Sequence, residues 1–292
     1  MLSMLGNETP GRRDRSPAAI ALGLLLAAHP APATAVTGLI TALAAASGRD
    51  APGCLLVALS VLTGQLSVGW SNDRVDMRRD LAAERRDKPL VTGAVPPAVV
   101  SAAAGSALLV CVPLSLANGV LAGTAHLIGV AAAWAYNLGV KATPLSWLPY
   151  ALAFGLLPAF VTLGLPGHPW PPSWLTAAGA LLGVGAHFTN VLPDIESDLA
   201  AGILGLPQRL GRRRSRSAAA LTLLAASVVL VLGPPGTPNA AGWTGLAVTG
   251  ALALATAVRL GTDPRSRLPF LATLGLATVD VALLLLRGGS LA

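Results

Sequence analysis

Two short acidic stretches carry most of the residues able to do chemistry in this chain. The first is Asn72-Asp73-Arg74-Val75-Asp76-Met77-Arg78-Arg79-Asp80, which opens into Glu84-Arg85-Arg86-Asp87-Lys88-Pro89; the second is Asp194-Ile195-Glu196-Ser197-Asp198. Together they hold eight of the 13 acidic residues, so the carboxyl groups are concentrated rather than scattered. On a helix, Asp73, Asp76 and Asp80 fall at i, i+3 and i+7, along one stripe, and Asn190, Asp194 and Asp198 do the same at i, i+4 and i+8. Carboxylates gathered at a helix end repel one another and are costly to desolvate, so something cationic should stand between them. Hard oxygen ligands on two facing helices, with coordination positions left open, suit Mg²⁺ shared with a substrate's phosphates. Arg78, Arg85, Lys88 and Lys141 are placed to hold the remaining phosphate oxygens. The combination points to a diphosphate whose apolar part lies among helices.

The elements that position these residues are membrane spans. The chain is 53% hydrophobic and 11% charged, with mean hydropathy +0.66; a soluble domain carries about 25% charged residues. A net charge of +7 raises nucleic acid as a partner, but the basic residues flank apolar runs, which is the pattern of topology and inner-leaflet anchoring. Cys54 and Cys111 both lie in apolar runs and read as small hydrophobes, not as a disulfide or a metal site. Residues 1–17 form a polar tail with Arg12, Arg13 and Arg15, with no cleavable signal evident, and residues 18–292 form a single transmembrane domain. Ala18–Ala28 is too short to span, because a span needs about 20 residues; it reads as an interfacial or re-entrant lead-in, or as the first turns of a kinked helix. Nine spans follow, at about 31–48, 52–72, 96–116, 119–139, 145–165, 173–192, 215–233, 240–259 and 268–287. With the N-terminus in the cytoplasm and the C-terminus outside, 18 of the 20 Lys and Arg residues fall on the inner side, leaving only Arg49 and Arg287 outside. Both acidic stretches then share the cytoplasmic face of the cell's inner membrane.

Plainer readings exist for each feature. An Asp/Arg mixture at a helix end can be a solvated cap, although two such ends on one face make that reading weaker. Arg212-Arg213-Arg214 reads first as a topology determinant. Asp280, inside the last span, is either functional or bonded to a neighbouring helix. His187 reads as a packed polar contact, and His29 and His168 mark breaks.

The pattern resembles the UbiA-type intramembrane prenyltransferases. Asn72-Asp73-x-x-Asp76-x-x-x-Asp80 resembles that family's first aspartate-rich motif. Asp194-x-x-x-Asp198, followed by Gly202, Leu206-Pro207 and Arg209-Leu210-Gly211, resembles the second. Lys88-Pro89-Leu90-x-x-Gly93 is similar to the basic segment after motif one, and Tyr136-Asn137 with Lys141 is similar to a Tyr…Lys pair. The resemblance implies an all-α bundle of nine transmembrane helices whose central cavity is capped by the two motifs on the cytoplasmic side. It implies transfer of a prenyl group from a prenyl diphosphate to a small acceptor. Asn72, Asp76, Asp194 and Asp198 would coordinate Mg²⁺, with Asn190 on the same stripe as the last two, and Asp73 and Asp80 in support. Arg78, Arg85, Lys88, Lys141 and Tyr136 would hold the diphosphate. The family's basic residue in the first helix has only His29 as its counterpart, which bears on acceptor recognition.

The implied chemistry is ionisation of the allylic C–O bond, assisted by the charge around the leaving diphosphate, with the cation shielded from water. Aromatic residues that stabilise a cation are sparse, at four Phe, two Tyr and six Trp, with Trp70 and Trp134 nearest the motifs. An aromatic acceptor of the 4-hydroxybenzoate or quinone-precursor kind is the leading expectation. A terpene cyclase and a phosphoribosyl-diphosphate:polyprenyl-phosphate transferase share the fold. An ion-coupled transporter fits less well, because transporter ion sites lie near the bilayer midplane.

Overall fold

The computed structural model describes residues 16–258, together with 275, 278 and 279. Among them the chain is helical, with ten α-helices: α1 Pro17–Ala27, α2 Pro30–Ala46, α3 Ala51–Ala82, α4 Pro97–Ala117, α5 Val120–Leu138, α6 Leu148–Thr162, α7 Ser173–Val191, α8 Ile195–Ala200, α9 Leu206–Leu232 and α10 Ala240–Val258. Eight of the nine expected spans have a helix in place. Most of the ninth, at 268–287, lies outside the described residues, as do Asp280 and the polar tail through residue 15. By length and composition, α3, α4, α7 continued through α8, and α9 can each cross a membrane; the bent pair α1 and α2 makes a fifth.

α3 organises the bundle. Its first turn is capped by Asp50, whose Oδ1 accepts from the Gly53 amide at 3.0 Å. It packs on α2, α4 and α5. Thirty-two residues make a rod about 48 Å long, while the hydrocarbon core is about 30 Å thick. The helix therefore does not stop at residue 72, where apolarity ends. It runs on through the whole first acidic motif, so one helix carries both the apolar stretch and the carboxylates.

The lead-in proves to be the start of a broken helix. α1 and α2 meet at a bend of 61°. His29 sits at the break with φ of 53°, and Pro30 opens the next helix, where a missing N–H costs nothing. The break docks on α3 because Gly69 faces it. A Cβ at Gly69 would stand 2.6 Å from the Ala28 carbonyl oxygen. The Trp70 indole N–H donates to the Leu24 carbonyl at 2.8 Å and holds α1 in place. The polypeptide thus brings His29 over the start of the motif.

The far end of the bundle is tied by Arg49, whose Nη2 donates to Asn118 Oδ1 at 2.8 Å. Between the two ends the core is Val57, Val61, Phe160, Val161 and Leu163 with small alanines. α9 begins at Leu206, earlier than its apolar run, and turns at Gly211, whose φ of 77° only glycine adopts freely. Residues 206–210 therefore belong to the cap and the remainder to the bundle.

The tight approach at Gly69 gives a test. Gly69→Ala should destabilise the protein by about 1–3 kcal/mol through overpacking against backbone that cannot yield. Gly105→Ala, on α4 where an added Cβ meets nothing within 4 Å, should be neutral or stabilising by up to about 1 kcal/mol. Thermal unfolding of both variants in detergent measures the difference.

Candidate active site

The two acidic stretches, more than a hundred residues apart, meet at one end of the bundle. Arg79 joins them: its Nη2 donates to Asp76 Oδ2 at 2.8 Å and its Nη1 lies 3.5 Å from Asp198 Oδ1. Arg85 makes a second bridge, with Nη1 on Asp194 Oδ1 at 3.0 Å and Nε on Asp87 Oδ1 at 3.2 Å. Those bonds hold the Asp87 carboxyl below the usual carboxylate range and raise the Arg85 guanidinium further. Lys141, on a single 3₁₀ turn after α5, pairs with Asp76 Oδ1. Burial draws its ammonium down from the ordinary lysine range, and Asp76 opposes that shift. Lys88 Nζ donates to Asp73 Oδ1 at 2.6 Å, and His29 Nε2 meets the same oxygen at 2.8 Å. Asp73 Oδ2 is buried without a hydrogen-bond partner among the described residues.

Neutral side chains set the carboxylates in register. Asn72 Nδ2 donates to Asp76 Oδ2 at 3.3 Å and to Asn137 Oδ1 at 3.2 Å. Asn137 in turn donates to the Val68 carbonyl and Ser71 hydroxyl, stitching α5 to α3. Gln208, on the short stretch before the Gly211 turn, donates Nε2 to Asp198 Oδ2 at 2.8 Å. Asp80 is buried at the end of the first stripe.

The expected residues are not all equally involved. Asn72, Asp76, Asp198 and Lys141 gather around Arg79, Arg85 pairs with Asp194, and Lys88 pairs with Asp73, so these eight expected residues make up three ion-paired groups. Arg78 points out into the exposed face of α3, and its neighbour Arg79 occupies the position between the carboxylates. Helix phase explains this, since Arg79 is three residues from Asp76 and shares its stripe. The second stripe is not one continuous helix. Pro193 falls in a 3₁₀ turn, Leu192–Asp194, between α7 and α8, which turns Asp194 toward Arg85 and leaves Asn190 over the cavity, donating to the Tyr150 hydroxyl at 3.2 Å. Arg79 and Gln208 are the contributors that pattern alone did not single out, and Asn137, quoted beside Tyr136, has the added role of an anchor between α5 and α3. For Arg79 the i+3 spacing was the available signal.

Below the network lies a cavity of about 340 Å³ between α2, α3, α5, α6 and α7, apolar over most of its wall. Both tyrosines of the chain flank its mouth, Tyr136 and Tyr150 meeting edge to face with ring centroids 5.2 Å apart. His187 packs beside them at 5.7 and 5.1 Å. It is buried, with Nε2 on Ser146 Oγ at 3.1 Å, a packed polar contact. Cys54 and Cys111 are unpaired, and Cys111 is buried.

Among the described residues no three His, Cys, Asp or Glu side chains converge into a ready-made metal cage. The donor chemistry nonetheless fits a hard divalent ion. Every candidate ligand is an oxygen, and Asp73, Asp76, Asp194 and Asp198 are each paired with a long Arg or Lys side chain.

Residues 31–278 match the model of the UbiA prenyltransferase family. The chain belongs to that family. A curated relative, digeranylgeranylglyceryl phosphate synthase of Methanothrix thermoacetophila, is 28% identical over 211 residues, covering 70% of this chain and 75% of the relative. The apo structure of a UbiA homolog from Aeropyrum pernix superposes with a TM-score of 0.68 at 18% identity, over 92% of this chain and 98% of that one. A UbiA homolog from Archaeoglobus fulgidus bound to DMAPP and Mg²⁺ gives 0.66 at 16% identity, over 89% and 98%. The fold is therefore UbiA-like, and the chain is a multi-pass membrane protein of a prenyltransferase family.

Removing Arg79 leaves Asp76 and Asp198 facing each other without the cation between them. Arg79→Ala should cost the metal-free protein about 1–3 kcal/mol, and millimolar Mg²⁺ should restore more stability to the variant than to the parent. Thermal unfolding with and without chelator reads both effects.

Proposed function

We propose that the protein catalyses Mg²⁺-dependent transfer of a prenyl group from a prenyl diphosphate to an aromatic acceptor. The observation that carries this reading is the meeting of the two acidic motifs, interleaved with four cationic side chains, over the mouth of one apolar cavity. Complexes of the Archaeoglobus fulgidus homolog with DMAPP and with GPP, both with Mg²⁺, support the donor class. The proposed metal ligands are Asn72, Asp76, Asn190, Asp194 and Asp198, with Asp73 and Asp80 supporting them. Nine spans with the cap in the cytoplasm follow from the distribution of Lys and Arg.

In the substrate-free protein, Lys88, Lys141, Arg79 and Arg85 rest on carboxylates. A diphosphate entering the cap offers oxygen acceptors of higher charge, so Arg85, Lys88 and Lys141 turn onto it, with Tyr136 beside them. Bound Mg²⁺ would supply the further positive charge that neutralises the leaving group. As the allylic C–O bond breaks, its electron pair stays on the diphosphate, and the cations gathered around it stabilise that charge. The prenyl tail lies in the cavity, whose walls exclude water from the cation. The faces of Tyr136 and Tyr150 offer it π density. The acceptor's electron pair then closes the new bond to carbon, and its proton is lost to a cap residue or to solvent.

The curated relative supports a second acceptor class, a glycerol phosphate hydroxyl. One assay separates the two. Purified protein in nanodiscs with Mg²⁺ and prenyl diphosphates should release diphosphate only with an acceptor. On the aromatic reading 4-hydroxybenzoate suffices and glycerol phosphate lipids do not. Asp76→Ala and Asp194→Ala should each lower the rate by at least about 100-fold. Release without any acceptor would overturn the transferase reading in favour of a cyclase.

A further inference from the structure

Two polar side chains break the apolar wall of the cavity well below the cap. Gln65 and His126 both line it. Gln65 precedes Asn72 by seven residues on α3, which places it about 10 Å deeper in the membrane. His126 precedes Tyr136 by ten residues on α5, about 15 Å deeper. Gly64, next to Gln65 in the chain, faces α5, and a Cβ there would stand 3.3 Å from the His126 ring. Val36, Leu157 and Leu182 also line the cavity, and the helical rise puts them at a similar distance below His29, Tyr150 and Asn190.

Neither group is fully satisfied by the protein. The Ser115 hydroxyl donates to the Cys111 carbonyl at 2.6 Å, so at 2.8 Å from His126 Nδ1 it accepts that nitrogen's proton. The neutral ring then keeps a bare lone pair on Nε2. The ring is held by a stack on Phe160 at 4.6 Å, and the residue is only 6% exposed. The Gln65 amide has no hydrogen-bond partner among the described residues. Polar groups at membrane depth are costly unless function retains them.

We infer that Gln65 and His126 form a polar collar that selects short prenyl donors. The inference rests on the prenyl diphosphate reading above and adds the chain-length class. With the diphosphate anchored beside Asn72, each isoprene unit covers about 4.5 Å, roughly the rise of three helical residues. A dimethylallyl or geranyl tail ends at or above Gln65. A farnesyl or geranylgeranyl tail runs past it and lays hydrocarbon over an amide and a ring nitrogen, neither of which can then find a partner. Apolar surface below the collar offsets part of that cost, so the collar sets a preference, not an absolute stop.

The test uses full-length protein in nanodiscs with Mg²⁺ and the non-ionising prenyl S-thiolodiphosphates of 5, 10, 15 and 20 carbons, with affinity read by calorimetry. In the parent, affinity should fall between the 10- and 15-carbon analogues. Gln65→Leu should raise affinity for the 20-carbon analogue about tenfold, the equivalent of one relieved polar group, and leave the 5- and 10-carbon analogues unchanged. Gln65→Met should act in the same direction, and Gln65→Glu should deepen the fall. An unchanged 20-to-10 affinity ratio in both apolar variants would overturn the collar while leaving the donor class intact. Failure of every analogue to bind the parent would overturn the donor class, and the collar with it.

Discussion

The cap depends on the neutralisation of buried carboxylates by cations delivered from elsewhere in the chain. Asp76 and Asp198 come from different helices and would repel if brought together bare. Arg79 stands between them and Lys141 covers the other oxygen of Asp76. The same arrangement repeats at Asp73 with Lys88, and at Asp194 with Arg85. Each pairing also ties two elements: Lys141 fixes the α5–α6 connection to α3, and Arg85 fixes the segment after α3 to the α7–α8 turn. The charge network and the closure of the bundle at this end are thus one structure.

Apolar and neutral contacts position the network alongside the ion pairs. The length of α3 carries its carboxylates beyond its apolar stretch, Gly69 lets the broken first helix sit close, and Asn137 and Gln208 orient the first and second acidic stretches. These neutral contacts resist salt and pH, whereas the ion pairs they hold can be exchanged. The site is accordingly rigid in backbone and loose in counter-ions, a combination suited to a reaction in which charge must be taken up quickly on a leaving group.

Much of this was legible in the residues. The Asp73–Asp76–Asp80 stripe, the apolar runs and the bias of Lys and Arg sufficed for helices with two acidic ends on one face, because membrane helices follow hydropathy closely. Helix ends were less legible. α3 continues past its apolar stretch because nothing in Asn72–Ala82 breaks a helix, and α9 starts early because Leu206–Leu210 can be helical without being buried in lipid. The second stripe failed as a continuous helix at Pro193, a local effect that spacing alone ignores. The choice of Arg79 over Arg78 was a matter of helix phase, and the contact of Gln208 with Asp198 depends on tertiary packing that no local pattern encodes.

The pairing of Lys88, Lys141 and Arg85 with the cap carboxylates has a thermodynamic corollary. On the proposed reading, a cation that leaves a carboxylate to hold phosphate frees an oxygen for metal, and a metal that takes the carboxylate frees a cation for phosphate. Each ligand therefore prepays part of the other's cost of entry. Metal and donor must bind with reciprocal positive cooperativity, each raising the affinity of the other by the same factor. A protein that neutralises its own acidic cap in this way holds neither ligand tightly alone and both tightly together.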